Sequence, residues 1–196
     1  MTYEELLITL SGTTPEEALE ILRENPDHKH KSGYEFIIKK DPFFAYEYAK
    51  YVIQDRWPEA EEDIKKDPYS AYIYARKVIK GRWPEAEEYI MTDKFSAFSY
   101  AKYVIKGRWP EVEDVIKTET DPFSAYDYAN VIKGRWIEAE PFIKTCPESA
   151  CKYARDVIKG RWPEAEEYIK NDPESAYHYA RDVIGDENFW DKLKNI

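Results

Sequence analysis

The sequence has few cysteines and few glycines, and it contains no long apolar segment. Only 2 cysteines and 7 glycines occur among 196 residues. Cys146 and Cys151 cannot provide the disulfide framework of a small secreted domain, so we expect a reducing compartment. No stretch approaches the roughly 20 apolar residues that cross a bilayer, and the first residues lack a basic flank. We therefore predict a soluble, cytoplasmic chain without membrane contacts.

Positive charge is also scarce. The 29 lysines and arginines are outnumbered by 39 acidic residues, which gives a formal net charge of −10. A generic nucleic-acid binder has the opposite balance, so direct nucleic-acid binding is not expected. Hydrophobic residues make up 43% of the chain and aromatic residues 16%. This content is sufficient for a packed core and argues against disorder.

What the sequence does contain is a tandem repeat with a period of about 26 residues. One copy reads DPYSAYIYARKVIKGRWPEAEEYIMT. The six copies open at Asp41, Asp67, Asp93, Asp121, Cys146 and Asp172. One tryptophan recurs in each of the first five copies and is expected to have a structural role; these are Trp57, Trp83, Trp109, Trp136 and Trp162, while Trp190 belongs to a degenerate last copy. A fixed period of this length predicts supersecondary units that stack on one another.

Each copy carries the start and stop signals of two helices. In copy two, Asp67 supplies an N-cap acceptor before Pro68, and Gly81 is expected to adopt the positive φ that ends the first helix. Trp83 and Pro84 then begin a shorter second helix. Apolar residues at helical spacing form one stripe per pair, which only a neighbouring copy can cover. We therefore predict an all-α fold, an α-solenoid of six two-helix repeats with a divergent N-terminal helical cap.

The repeat pattern divides the chain into three parts. Residues 1–40 form the N-terminal cap, residues 41–184 the repeat array, and residues 185–196 a C-terminal capping helix. The array has one irregular stretch, because copy three gains two residues and copy four loses one between Ala129 and Val131. Deleting one residue from a helix rotates all the residues that follow it by about 100° around the helix axis. We expect it to interrupt the apolar stripe and bend the array between residues 117 and 145, unless a bulge absorbs it.

Two kinds of ion pair are expected on the surface. Glutamates of the second helices precede lysines by four residues, as in Glu61 and Lys65, and predict solvated i,i+4 pairs. The arginine before each tryptophan, Arg82 in copy two, offers a ladder that could meet phosphates or acidic side chains. A structural role is favoured instead, in which it stacks on the indole ring and pairs locally with Glu85 or Glu87.

The run Val78–Glu87, VIKGRWPEAE, together with Asp67-Pro68 and the segment Tyr72–Ala75, resembles a family of tandem-repeat proteins encoded by tailed bacteriophages. Their units read approximately DPxxAYxYAxxVIKGRWPEAE, and the likeness covers residues 41 to about 184. The resemblance implies a phage origin, a helical-repeat fold and a location in the host cell cytoplasm. It implies no activity, since the family has no settled one.

The sequence contains no convincing catalytic, cofactor or metal site. His28 and His30 flank a lysine in a polar stretch without a partnered acid or cysteine, which is a weak metal site. Cys146 and Cys151 replace repeat residues and offer at most a reactive or metal-binding thiol pair, although chance substitution explains them as well. No glycine-rich phosphate loop or nucleophile motif is found. We predict that the protein is not an enzyme and needs no cofactor or metal.

Positions three, seven and eleven of each copy lie on one face of the first helix and differ between copies. This face is the candidate partner-binding site, and its residues are Phe43, Glu47, Tyr51, Tyr69, Ile73, Lys77, Phe95, Tyr103 and Phe123. Copies five and six carry charged residues in the same columns. The first helical turn favours core packing for position three, whereas positions seven and eleven are the better candidates for exposure.

These observations favour a non-enzymatic helical-repeat module that binds a host or phage protein through the variable face. One alternative is an acidic decoy that inhibits a host nucleic-acid-binding or defence factor. Another is a structural or self-associating component. An enzyme or small-ligand carrier is the remaining alternative, and it would require a pocket that breaks the repeat symmetry.

Overall fold

The computed structural model describes residues 10–119 and 122–193, and in this part of the chain all regular structure is helical. The predicted all-α helical-repeat fold is confirmed, since adjacent helices pack as a repeat solenoid requires. The chain divides into two compact units. The N-terminal unit ends at Ile105 and the C-terminal unit begins at Lys106. The part of the predicted N-terminal cap before residue 10 lies outside the described residues, as do Asp121, which opens copy four, and residues 194–196 of the predicted C-terminal capping helix.

The N-terminal helices are Pro15–Glu24 and Lys31–Ile38. The first helices of copies one to six are Pro42–Tyr48, Pro68–Tyr74, Lys94–Tyr100, Pro122–Val131, Pro147–Tyr153 and Pro173–His178. All except the fourth continue into a π-helical turn, at Ala49–Ile53, Ala75–Ile79, Ala101–Ile105, Ala154–Ile158 and Tyr179–Ile184.

The second helices of copies one, two and five are Pro58–Ile64, Pro84–Ile90 and Pro163–Ile169. Copy three has the 3₁₀ turn Pro110–Val112 before the helix Glu113–Glu119. Copy four has only Glu140–Ile143, because Ile137 stands where other copies have the proline that starts this helix. Pro141 lies in the first turn of that short helix and interrupts no hydrogen bond there. Phe189–Leu193 closes the described chain.

The capping signals act as the sequence predicts. The Asp67 carboxylate accepts a hydrogen bond from the Ser70 backbone N–H at 2.8 Å, and Asp93 and Asp172 cap their helices in the same way. Thr14 and Glu17 form a reciprocal capping box at the first N-terminal helix. Cys146 begins the first helix of copy five without a side-chain cap.

The predicted role of Gly81 is wrong. The residue with positive φ is its predecessor, Lys80 (φ 58°), and the same position has φ 60° at Gln54 and φ 58° at Lys159. The π-helical turn shifts the left-handed residue one position earlier, because the N–H of Gly81 bonds the carbonyl of Ala75, six residues back. In the sixth copy this position is a glycine, Gly185.

The expected interruption of the apolar stripe in copy four does not occur. Copy four lacks the residue that the other copies accommodate in a π-helical turn, so its first helix stays α-helical to Val131. Gly134 N–H therefore bonds the carbonyl of Ala129, five residues back. Tyr128 and Trp136 remain in edge-to-face contact, with ring centroids 4.9 Å apart, as in copy one. The residues gained by copy three include position 120, which is not described.

A recurrent group of four residues, here called the latch, joins each copy to the next. The Tyr74 hydroxyl accepts a hydrogen bond from the backbone N–H of Trp57 at 2.7 Å and donates one to Glu61 at 2.9 Å. Arg56 holds the same carboxylate through two hydrogen bonds of 2.7 Å. The indoles beside the latches are only 1–6% exposed, which supports their predicted structural role.

Five latches occur in the described chain. They combine Arg56, Trp57, Glu61 and Tyr74; Arg82, Trp83, Glu87 and Tyr100; Arg108, Trp109, Glu113 and Tyr128; Arg135, Trp136, Glu140 and Tyr153; and Arg161, Trp162, Glu166 and Tyr179. Burial raises the pKa of Tyr128 to about 12, and the other four latch tyrosines have raised pKa values for the same reason.

The latch corrects the predicted i,i+4 pairs. Glu61 is bound by arginine and tyrosine, while Lys65 pairs with Glu62 at 2.8 Å. These glutamates are consequently half-buried or buried, and Glu166 is 8% exposed. The expected local partner of Arg82 is confirmed as Glu87.

The two ends complete the pattern with other residues. Glu35, on the second N-terminal helix, accepts the hydrogen bond of the Tyr48 hydroxyl at 2.8 Å, as a latch glutamate does. At the other end, the Trp190 indole N–H donates to the carbonyl of Ala176 at 2.8 Å, and its ring lies 5.8 Å from that of Tyr179.

The position of the left-handed residue can be tested by two substitutions. Lys80→Gly is expected to stabilise the protein by about 1 kcal/mol, because glycine adopts positive φ without the steric cost of a Cβ atom. Gly81→Ala should be neutral or slightly stabilising, since a Cβ atom there meets nothing within 4 Å. Urea unfolding measures both free energies, and destabilisation by Gly81→Ala would contradict the assignment.

Removing one latch hydroxyl is expected to destabilise the fold. Tyr74→Phe leaves the buried N–H of Trp57 without its acceptor, which costs about 1–3 kcal/mol. The matched control is Tyr69→Phe, since that ring is 42% exposed. Chemical unfolding compares the two variants, and equal stabilities would argue against the latch as a stabilising element.

The latch also predicts acid sensitivity. Hydrogen bonds from Arg56 and Arg82 hold the pKa values of Glu61 and Glu87 below their ordinary value. A depressed folded-state pKa stabilises the protein above the unfolded-state pKa, and this contribution is lost as pH falls through the folded-state value. The free energy of unfolding should therefore fall between about pH 5 and about pH 3. The double variant Glu61→Gln, Glu87→Gln should show a shallower decline; an unchanged pH profile would contradict this explanation.

Candidate interaction face

The third position of every copy is solvent-exposed. The exposed fractions are 43% for Phe43, 42% for Tyr69, 62% for Phe95 and 40% for Phe123. The expectation that this column packs into the core is therefore wrong. The Tyr69 and Phe95 rings stack on each other with centroids 6.5 Å apart, so these two members of the column pack together on the surface.

Positions seven and eleven differ from each other. Position eleven is exposed as expected, with Tyr51 at 49% and Tyr103 at 41%. Position seven is more covered: Ile73 is half-buried and Ser99 is buried. Glu47 is half-buried because Arg23, from the N-terminal helices, forms an ion pair with it at 2.6 Å.

Five exposed rings thus lie on the first helices of the N-terminal unit. We call this surface the aromatic face; it consists of Phe43, Tyr51, Tyr69, Phe95 and Tyr103. The first helices that carry it pack side by side, copy one on copy two and copy two on copy three. Lys77 is also exposed on this surface.

Cations lie among the rings of the aromatic face. The Arg76 guanidinium lies 4.0 Å from the centroid of the Tyr103 ring, and the Lys50 ammonium lies 4.0 Å from that of Tyr51. Lys102 approaches the same Tyr103 ring at 5.6 Å. Such cation–π contacts hold the rings in place while leaving part of each ring in solvent.

A column of cations on this face was not predicted, although the sequence contains a signal for it. Position ten is lysine or arginine in five of the six copies: Lys50, Arg76, Lys102, Arg155 and Arg181. This column keeps its positive charge where the neighbouring positions vary, so variation between copies does not mark it.

In the C-terminal unit the corresponding surface is charged and internally paired. Arg155 binds Asp156 at 2.7 Å, and Arg181 binds Asp182 at 2.5 Å. Phe123 is the exposed ring at position three of copy four, and Lys152 lies over it at 4.6 Å.

A cleft of about 470 Å³ lies between the first helices of copies five and six. Its lining includes Cys151, Lys152, Arg155 and His178. Lys152 is paired with Glu148 at 2.6 Å. Burial raises the pKa of the Cys151 thiol to about 11, so this group stays protonated at neutral pH and is a poor nucleophile.

The two histidines of the N-terminal loop are occupied locally. The backbone N–H of His30 donates a hydrogen bond to the Nδ1 atom of His28 at 3.1 Å, and the His28 ring contacts that of Tyr34 with centroids 5.2 Å apart. Within the described ranges, no group of three or more histidine, cysteine or acidic residues is arranged to hold a metal ion. No helix in residues 10–119 and 122–193 is long and apolar enough to cross a bilayer.

Comparisons of the chain with models of protein families, with curated proteins and with solved structures return no match. The function must therefore be inferred from the chain's own side chains, and the aromatic face brings together five of the exposed rings of the described residues.

Proposed function

We propose that this protein is a non-enzymatic helical-repeat module that binds another protein through the aromatic face. Its resemblance to repeat proteins of tailed bacteriophages makes a host or phage protein the proposed partner. Binding would act by steric occlusion or by scaffolding, because a rigid face presents contact area without requiring a reaction.

The observation that supports this proposal is the exposure of five aromatic rings, each 41–62% exposed, on adjacent helices of one unit. Large exposed apolar groups that lie together on a surface typically mark contact sites. Tyrosine and arginine are also enriched among the residues that contribute most to protein–protein affinity.

The scaffold beneath the face favours the same function. Latches join copy one to copy two and copy two to the first helix of copy three, so the helices that carry the rings are held in register. A preorganised surface loses little conformational entropy on binding, which leaves more of the contact energy as affinity. The proposed anchors are Tyr51, Ile73 and Tyr103, with Glu47 and Lys77 contributing to partner choice.

The acidic-decoy alternative receives less support from this surface. A decoy for a nucleic-acid-binding protein should present carboxylates on its exposed face. The aromatic face instead carries Lys50, Arg76 and Lys102. Self-association through the same rings is distinguished from binding of another protein by sedimentation of the purified protein.

The proposal is tested by the double variant Tyr51→Ser, Tyr103→Ser in affinity capture from lysates of phage-infected bacteria. We expect a captured partner to be depleted about tenfold or more, since truncating two anchors typically removes at least 2 kcal/mol. Mass spectrometry identifies the partner, and sedimentation of the purified protein reports whether the partner is a second copy of the chain.

The matched control is the double variant Ile137→Ser, Tyr168→Ser. These side chains are 57% and 38% exposed and lie outside the aromatic face. Circular dichroism and thermal unfolding verify that both variants fold. If the first variant retains every partner that the control retains, the aromatic face is not the binding site.

A further inference from the structure

The cations of the aromatic face have aromatic neighbours on their own helices. Lys50 lies 5.4 Å from the Tyr46 ring, and Lys102 lies 5.4 Å from the Phe98 ring. Arg76 donates a hydrogen bond to the Tyr72 hydroxyl at 2.8 Å. In each case the ring precedes the cation by four residues, so one helical turn places them side by side.

These three cations have no carboxylate partner within salt-bridge distance among residues 10–119 and 122–193. The acid on the same helix as Lys50 is Glu47, and Arg23 already pairs with it at 2.6 Å. All three cations are half-buried. The aromatic face is therefore locally positive on a chain whose formal net charge is −10.

The C-terminal unit shows how the same position is neutralised. The π-helical segments of copies five and six both contain the sequence ARDVI, and the aspartate binds the arginine that precedes it. In copy two the corresponding segment reads ARKVI, so Lys77 replaces the aspartate and adds a second positive charge. The residue that follows the cation in each copy thus decides whether the cation forms an ion pair within the chain or remains available to a carboxylate of another molecule.

We propose that the aromatic face binds a carboxylate-rich, extended segment of a protein partner, with the acidic side chains meeting Lys50, Arg76 and Lys102. This inference rests on the proposed function and specifies the chemistry of its partner. Half-buried cations without an internal counter-ion gain most from an incoming carboxylate, because charge-assisted hydrogen bonds strengthen where water is partly excluded.

The spacing of the cations suits an extended segment. Packed helices lie roughly 8–10 Å apart, so one cation per copy recurs at about that interval. A polyproline II segment has three residues per turn and rises about 3.1 Å per residue, which returns every third side chain to the same side after about 9 Å. An acidic residue at every third position therefore meets one cation per copy, and the intervening residues contact the rings.

A nucleic acid fits this surface less well than an acidic peptide. A single strand carries one negative charge per about 3.4 Å, whereas the face offers one cation in position ten per copy. Repulsion between a polyanion and a chain with net charge −10 further opposes binding at low salt. A protein segment with separated carboxylates matches the sparse cations and the exposed rings together.

The experiment uses fluorescence polarisation with three labelled probes. The first is a twelve-residue peptide of Glu-Pro-Pro repeats, the second its Gln-Pro-Pro counterpart, and the third a twelve-nucleotide oligothymidylate. We expect the glutamate peptide to bind at least about tenfold more tightly than the other two, and its affinity to fall as salt is raised. Absence of binding by the glutamate peptide overturns the proposal, as does equal binding of the two peptides.

The decisive variant is Lys77→Asp, which gives copy two the ARDVI sequence that copies five and six already fold in the same π-helical turn. The new aspartate should pair with Arg76 and lower the affinity for the glutamate peptide about tenfold or more. Lys170→Asp is the matched control, because it makes the same charge change at an exposed site of the C-terminal unit. If the two variants weaken peptide binding equally, the affinity depends only on the net charge of the protein, and the proposal is overturned.

The oligothymidylate measurement separates the two classes of polymer. If it binds at least as tightly as the glutamate peptide and Lys77→Asp weakens it, the face is a nucleic-acid site and the carboxylate proposal is wrong.

Affinity capture then separates this inference from the proposed function. Loss of the partner in the variant Tyr51→Ser, Tyr103→Ser, together with full retention in Lys77→Asp, would preserve the protein-binding function and refute the carboxylate partner. Retention of the partner in both variants would refute both the proposed protein-binding function and the carboxylate partner.

Discussion

The hydrogen bonds of one buried tyrosine hydroxyl hold successive copies of this protein together. The hydroxyl accepts from the backbone N–H of a tryptophan in the preceding copy and donates to a glutamate that an arginine fixes from the other side. The tryptophan N–H begins a proline-started helix and has no partner within that helix. The tyrosine therefore satisfies a donor that burial would otherwise make costly, and it does so only when the next copy is stacked in the correct register.

The sequence indicates the repeat, its two helices and the burial of its indoles, because capping residues, prolines and apolar spacing act locally. It does not indicate the π-helical turn, since the ARKVI and ARDVI segments have no recognised signature for an i→i+5 turn. Two expectations failed for this reason: Gly81 as the left-handed residue and the interrupted stripe of copy four. The hydrogen bond from Tyr74 to Glu61 was also missed, because Tyr74 belongs to the next copy and reaches Glu61 through tertiary packing rather than helical spacing.

The candidate site shows a similar division between local and tertiary information. The exposure of Tyr51 and Tyr103 follows from helical periodicity, whereas the exposure of Phe95, in the first helical turn, depends on tertiary packing that the sequence pattern does not specify. The charge state of the face depends on one neighbour of each cation. Asp156 neutralises Arg155 in the C-terminal unit, while Arg76 of the N-terminal unit lies against Tyr72 and Tyr103.

Every latch takes its tryptophan from one copy and its tyrosine from the following one, so no single copy holds a complete set. If one whole copy is duplicated or lost, the two copies that become neighbours still supply the tryptophan and the tyrosine of a complete latch. Glu35 and Trp190 still provide the end contacts of the array. Unequal recombination within the gene can therefore add or remove whole copies without leaving a buried polar group of the latch unpaired. Positions three and eleven take no part in the latch, so a duplicated copy can differ there without disturbing the contacts between copies.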